Sequence, residues 1–157
     1  MFLSTYLMKV DRKGRVSVPA SWRAHLSADG FDGFVAMPSL EHPAIDARGL
    51  RAFGGLMEKL QADLVARDGT VAAELFSGAD NDAGHLAAAA LDVPFDGEGR
   101  LSLPARLKVV IGEAEQVAFV GRFSFFQIWT AEAWATQEAA ESQGFRARML
   151  ARRPVRP

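Results

Sequence analysis

Two stretches of the chain alternate polar and apolar residues in the same way. Arg15–Val18 and Arg100–Leu103 both show the two-residue period of a half-buried β-strand. A proline follows each stretch, and both Pro19 and Pro104 suit the first position of a helix. The pattern therefore predicts the same strand and helix at two places in the chain.

These stretches belong to an internal repeat. The ten residues Asp11–Ala20 (DRKGRVSVPA) return 85 residues later as Asp96–Ala105 (DGEGRLSLPA), with six positions identical. The shared Asp-x-x-Gly favours a turn, because aspartate accepts hydrogen bonds from the backbone ahead of it and glycine tolerates positive φ. One such unit is marginal for folding alone, so we expect the two copies to pair as a pseudo-dimer around a shared core.

The same elements are predicted in both copies. Pro94 would confine its strand to a sheet edge or a bulge. The predicted strands are Tyr6–Val10, Gly33–Met37, Leu91–Phe95, Gln116–Val120 and Phe123–Trp129, and the predicted helices run through Trp22 and Leu26 and through Leu107, Val110 and Ile111, the second ending at Gly112.

A helix is predicted between the copies. Its apolar residues recur at steps of three and four, which places Leu50, Phe53, Met57, Leu60 and Leu64 on one face. That face is more typical of core packing than of a docking site for a partner helix.

The remaining segments are predicted from breakers and caps. Gly78–Gly84 is expected to be a loop, and Ala87–Ala90 is ambiguous. A last helix should start at the capping residue Thr130 and break near Gly144, leaving a frayed, arginine-rich end. The chain is thus predicted to be an α+β protein in four segments: residues 5–52, 53–89, 90–133 and 134–157.

The net charge of −1 conceals an uneven distribution. Residues 1–25 carry five bases and one acid, residues 26–98 carry 13 acids and four bases, and residues 146–157 carry five arginines and no acid. A chain of this kind can still bind nucleic acid through one concentrated basic face. Clustering of ordinary solvated charge would look the same.

Several classes of protein are disfavoured. With 49% hydrophobic residues and no cysteine, the chain is neither disordered nor a disulfide scaffold. The N-terminus lacks the features of a signal peptide, so a cytoplasmic location is expected. No convergent catalytic set is visible, His25, His42 and His85 lack metal-ligand spacing, and Asp80–Gly84 fits a turn better than a calcium loop. We therefore expect no enzyme activity and no cofactor or metal.

The repeated turns are the candidate functional sites. Lys9, Arg12, Lys13 and Arg15 crowd the first turn, and arginine can donate two hydrogen bonds to guanine or phosphate. The second turn has Gly97 and Glu98 where the first has Arg12 and Lys13, so the first copy is the better candidate for contacting DNA. The alternative is that each Asp–Arg pair only pins its loop. The residues proposed to contact DNA are Lys9, Arg12, Lys13, Arg15 and Arg100, and those proposed to orient the loops are Asp11, Gly14, Asp96 and Gly99.

The chain resembles the MraZ family. The resemblance lies in the initial Met1-Phe2, the two Asp-x-x-Gly-Arg-x-Ser-x-Pro motifs, the connecting helix, and Val120-Gly121 followed by Phe126–Trp129. Three details depart from the family: Ser4 stands where glycine is frequent, Ala44–Ala47 is a poor candidate for the strand that closes the first repeat, and the arginine-rich tail runs past the usual end.

The resemblance implies both a fold and an activity. The fold would be two AbrB-like swapped-hairpin units forming a pseudo-dimeric barrel in one chain, which assembles into a ring-shaped homo-oligomer. The activity would be that of a nucleoid-associated bacterial transcription regulator, typically a repressor. It would bind short direct repeats in double-stranded DNA upstream of the division and cell-wall gene cluster. The alternative is a protein-binding module of the antitoxin kind, which also uses AbrB-like folds.

Overall fold

Each copy of the repeat folds into the same order of elements in this computed structural model, which describes residues 1–68 and 82–156. The first copy comprises β1 (Thr5–Lys9), β2 (Arg15–Ser17), α1 (Ala20–Ser27), β3 (Gly33–Pro38) and β4 (Ala44–Arg48). The second comprises β5 (Leu91–Pro94), β6 (Arg100–Ser102), α4 (Ala105–Ile111), β7 (Gln116–Gly121) and β8 (Phe126–Thr130). Helices α2 (Leu50–Asp68) and α3 (Asp82–Ala89) lie between the copies, and α5 (Ala131–Ala151) follows them.

The two copies exchange strands. The first strand of each copy pairs with the third strand of the other, so β1 lies against β7 and β5 lies against β3. The resulting antiparallel sheet has the order β1-β7-β8-β4-β3-β5, and β2 and β6 form a separate two-stranded ribbon. An α+β fold is thus confirmed. The predicted closed barrel is not, because β1 and β5 end the six-stranded sheet without pairing to each other in the described residues.

Pro94 lies in the edge strand β5, as predicted. The prolines after the ribbon strands differ slightly from expectation. Pro19 and Pro104 occupy the cap position just before α1 and α4, rather than the first helical position. Their φ angles of −50° and −54° fit a helix entry, whereas their extended ψ angles keep them outside the helix.

The shared core is centred on aromatic rings from both copies. Trp22 of α1 is 2% exposed, and its ring centroid lies 5.3 Å from that of Phe2 and 5.1 Å from that of Phe126. Phe119 and Tyr6 also contact the Trp22 ring, at 6.2 and 5.5 Å. Because these residues come from β1, β7, β8 and the N-terminus, one side chain joins the two copies.

The strand expected to be poor lies at the centre of the sheet. Ala44, Ile45 and Ala47 of β4 are fully buried between β3 and β8. Asp46, on the face of β4 opposite Ile45 and Ala47, is half-buried and accepts a 2.7 Å hydrogen bond from Gln127 Nε2. Small buried residues with a satisfied carboxylate therefore form a strand despite weak local propensity, since burial and pairing override it.

The segment before β8 was predicted wrongly. The predicted strand Phe123–Trp129 begins only at Phe126, because Phe123 adopts a φ of +68° in a turn that pairs with Phe2. Ser4, on the facing segment, has a φ of +76°, which glycine adopts without strain.

The connecting helix α2 is confirmed, but its apolar face is not fully core. Phe53, Met57 and Leu60 are half-buried, and Leu50 is exposed. The loop predicted at Gly78–Gly84 is wrong for residues 82–84, which begin α3, and its other residues lie outside the described part. Asp82 favours this helix start because acidic side chains stabilise the first turn.

Helix α5 starts where predicted and ends later than predicted. The Thr130 hydroxyl accepts a 3.1 Å hydrogen bond from the Ala133 N–H, as a cap should. The helix passes through Gly144 to Ala151, so the predicted break is not found, and the arginine-rich tail leaves the helix only from residue 152. Arg148 Nη1 lies 3.1 Å from the place of a Cβ on Gly144, so this side chain covers the glycine. None of the helices in residues 1–68 and 82–156 is long and apolar enough to cross a membrane.

A charged network fastens α5 to the sheet. The Arg122 guanidinium donates to both carboxylate oxygens of Glu141, at 3.0 and 2.8 Å, and through Nε to Gln127 Oε1 at 3.0 Å. The hydrogen bonds from Arg122 lower the pKa of the Glu141 carboxyl. The Glu141 carboxylate therefore stays ionised at neutral pH, and its contact with Arg122 anchors the middle of the helix.

Replacing Arg122 with alanine should loosen α5 without unfolding the sheet. The change removes a two-pronged ionic contact, and we expect a loss of about 1–2 kcal/mol in unfolding free energy. Amide hydrogen exchange should rise in residues 141–151 and stay slow in β7 and β8. Glu138→Ala, an exposed change on the same helix, is the matched control. Equal exchange in the two variants would contradict an anchoring role for Arg122.

Candidate nucleic-acid interface

The first turn is organised around one carboxylate. Oδ1 of Asp11 accepts hydrogen bonds from the backbone N–H groups of Lys13 (2.9 Å) and Arg15 (2.8 Å), and Oδ2 accepts one from Arg15 Nε (2.9 Å). The Asp11 N–H donates to the Arg15 carbonyl at 2.8 Å, which closes the turn. Gly14 has a φ of +76°, a conformation that favours glycine.

The second turn repeats this geometry. Asp96 Oδ1 accepts from the N–H groups of Glu98 and Arg100, both at 2.9 Å, and Oδ2 accepts from Arg100 Nε at 3.2 Å. Gly99 has a φ of +79°. The identical motif residues thus make identical hydrogen bonds in both copies.

The aspartates are ionised at neutral pH. The backbone N–H of Arg15, followed by its side chain and the N–H of Lys13, lowers the pKa of Asp11. The pKa of Asp96 is lowered for the same reason, chiefly by the backbone N–H of Arg100. A lowered pKa means that the hydrogen bonds of the turn are lost only when the pH falls through that lowered value.

The ribbon brings the two arginines to the same face. Arg15 pairs with Ser102, and Ser17 pairs with Arg100. Because alternate residues of a strand share a face, these four side chains lie opposite Val16 and Leu101, which are buried at 3% and 2% exposure. The antiparallel pairing puts the two turns at opposite ends of this polar face.

The two arginines differ in what remains free on them. Arg15 uses only Nε, so its two Nη atoms have no partner in residues 1–68 and 82–156. Arg100 uses Nε with Asp96 and also donates through Nη2 to Glu98 at 2.9 Å. The side chain of Arg15 therefore offers a full pair of donors to a ligand, and that of Arg100 does not.

The other predicted basic residues surround the first turn. Arg12 and Lys13 are exposed within it, and Lys9 is exposed at the end of β1. No acidic side chain in the described residues pairs with these three. The first turn is thus a cluster of exposed positive charge, whereas the second carries Glu98.

Two basic residues outside the candidate set reach across to the turns. Arg23 of α1 lies against Gly99, and Lys108 of α4 lies near Gly14, so each turn is approached from the other copy. The repeat alignment offers a signal for them, since Arg23 and Lys108 occupy matching basic positions. Their position beside the turns depends on the exchange of strands between the two copies, so it cannot be derived from the spacing of residues in the sequence.

The chain is similar to known proteins over most of its length. A family model described as "MraZ protein, putative antitoxin-like" matches residues 1–35 and 86–153, which include both turns. The transcriptional regulator MraZ of Xanthobacter autotrophicus is 38% identical over 148 residues, covering 92% of this chain and 87% of that protein. The transcriptional regulator MraZ of Pelagibacter ubique is 38% identical, and the match covers 82% of this chain and 77% of that protein. The transcriptional regulator MraZ of Beijerinckia indica is 35% identical, and the match covers 99% of this chain and 91% of that protein. The two motif-bearing turns thus fall within regions shared with transcriptional regulators, and the chain belongs to the MraZ family.

Proposed function

We propose that this protein is a transcription regulator that binds double-stranded DNA in a sequence-specific way through its first turn, and that it acts as a repressor rather than as an enzyme. The observation that carries the proposal is the free pair of Arg15 Nη donors on an exposed basic turn. Two parallel N–H donors match the O6 and N7 acceptors of guanine in the major groove. The names of the relatives support the regulatory role.

Arg15 is held ready for such a contact. Its Nε is fixed by Asp11, and its backbone N–H is fixed by the same carboxylate. The side chain therefore loses less conformational freedom when it binds, which favours affinity. Asp11 and Gly14 shape the turn in this proposal, and Asp96 and Gly99 shape its counterpart.

The remaining bases serve as phosphate contacts in this proposal. Lys9, Arg12 and Lys13 are exposed around Arg15 and have the charge to neutralise backbone phosphates. Arg100 shares the outer face of the ribbon, but its ion pair with Glu98 reduces what it can offer. Each protomer would thus bind DNA mainly with one end of its ribbon.

One turn is a small contact, so we propose that binding uses several protomers at once. A ring-shaped homo-oligomer on direct repeats would gain affinity by engaging successive sites, provided that their spacing fits. Repeats about one helical turn apart would present successive sites on one face of the duplex. The proposed targets are direct repeats upstream of the division and cell-wall gene cluster, the proposed location is the cytoplasmic nucleoid, and the pseudo-dimeric pairing of AbrB-like units is the proposed protomer.

Binding to the upstream region of its own gene tests the proposal. Wild-type protein is titrated with that duplex and with a scrambled duplex of equal composition, at several salt concentrations. We expect selective binding that weakens as salt rises, since each phosphate contact contributes about 0.9 to the log–log slope. Equal and weak binding to both duplexes would refute the proposal and favour a protein partner of the antitoxin kind.

A further inference from the structure

The first turn borders a cavity whose other wall belongs to the second copy. The cavity, about 290 Å³, is lined by Asp11–Gly14 on one side and by residues of α4 and the loop before β7 on the other. Lys108 of α4 places its Nζ 3.8 Å from the position of a Cβ on Gly14. A cation from one copy therefore lies directly beside the basic turn of the other.

The matching contact at the second turn is made differently. Arg23 packs its guanidinium against Gly99, and its Nε donates to the Val18 carbonyl at 2.9 Å. Arg23 is half-buried, and its Nε is already hydrogen-bonded to a backbone carbonyl, so its role is to support the turn. Lys108 is exposed, and its ammonium has no partner in residues 1–68 and 82–156.

The charges around the cavity favour a phosphate that is part of a longer polymer. Arg12, Lys13 and Lys108 supply three cations, whereas Asp11, Glu113 and Glu115 supply three carboxylates that also line the space. Carboxylates equal in number to the cations disfavour an enclosed free anion, because like charges repel. A DNA phosphate that other contacts of the first turn hold in place can instead bind these cations at the open edge of the cavity.

We infer that Lys108 donates to a backbone phosphate of the DNA that the first turn binds, so that both copies build the DNA contact of the first turn. This inference rests on the function proposed above. It goes further in assigning a phosphate contact to a residue of the second copy. Under it, the motif of the first copy is an incomplete site without α4.

The test uses the full chain with Lys108→Ala, Lys108→Arg and the matched control Arg106→Ala, an exposed change on the same helix that does not line the cavity. Lys108→Ala should weaken binding to the upstream and scrambled duplexes by the same factor. It should also lower the magnitude of the log–log salt slope by about 0.9. The loss of affinity relative to the wild type should therefore shrink about threefold between 50 and 200 mM salt. Lys108→Arg should restore the slope, and inorganic phosphate at matched ionic strength should not compete.

The outcomes separate this inference from the proposed function. If the wild type binds selectively and Lys108→Ala behaves like Arg106→Ala, Lys108 makes no phosphate contact and the inference is overturned. Competition by inorganic phosphate alone would show a free-anion site and would also overturn it. If the wild type shows no selectivity between the duplexes, the proposed function fails and the inference falls with it. Circular dichroism of each variant checks that the fold is intact.

Discussion

Arg15→Ala should abolish selective DNA binding and leave the fold intact. Of the two motif arginines, the change removes the one whose Nη atoms both lack a partner in residues 1–68 and 82–156, and a good bidentate contact to guanine contributes about 1–3 kcal/mol of discrimination. In an oligomer that engages several sites, the loss is repeated at each site. The exposed ion pair with Asp11 adds little to stability, so the variant should unfold almost like the wild type.

Two variants sharpen this prediction. Arg100→Ala removes the equivalent residue of the second copy, which is already paired with Glu98, and it should reduce affinity much less. Arg15→Lys keeps the charge but not the paired donors, so it should retain binding to scrambled DNA and lose selectivity. Equilibrium titration of the upstream and scrambled duplexes measures all three variants. An equal loss in Arg15→Ala and Arg100→Ala would show that the free donors of Arg15 do not decide binding.

Trp22→Ala should cost more stability than any surface change, about 3–5 kcal/mol in unfolding free energy. The ring is 2% exposed and lies within about 6 Å of aromatic rings from β1, β7, β8 and the N-terminus. Its removal leaves a cavity between the two copies, and the Leu3 carbonyl loses its hydrogen bond from Nε1. Losses of this size approach the total stability of many domains.

Denaturant unfolding followed by far-ultraviolet circular dichroism measures the effect, because the readout does not depend on tryptophan fluorescence. Val109→Ala, on α4 and 82% exposed, is the control and should change the unfolding free energy by less than about 0.5 kcal/mol. A Trp22→Ala variant as stable as this control would mean that the two copies do not depend on the ring for their association.

Local pattern was enough to predict most elements of the fold. The turns, ribbon strands and short helices follow from residues within about ten positions of one another, such as Asp11 and Gly14. The central strand β4 has weak local strand propensity, so the sequence does not favour it. Its alanines adopt a strand because β3 and β8 pair with them on both sides and bury them. The helix break predicted at Gly144 is wrong because a single glycine inside a helix costs only about 1 kcal/mol, which the surrounding turns of α5 outweigh.

The candidate site divides in the same way. The motif itself nominates Asp11 and Arg15, whose hydrogen bonds are local to the turn. Arg100 loses a free donor to Glu98, whereas the first copy has Lys13 at the position of Glu98. This difference is visible when the two copies are aligned. The proximity of Lys108 to Gly14 depends instead on how one copy packs against the other, and no local spacing encodes it.

The exchange of strands between the copies also constrains how the protein can be made. Thr5 in β1 pairs with Val120 in β7, so β1 leaves the ribosome long before the strand that it pairs with. Contacts this distant in sequence fold slowly, since a long loop must close before they form. The N-terminal half is therefore synthesised with an unpaired strand, and the native sheet is completed only when nearly the whole chain has emerged.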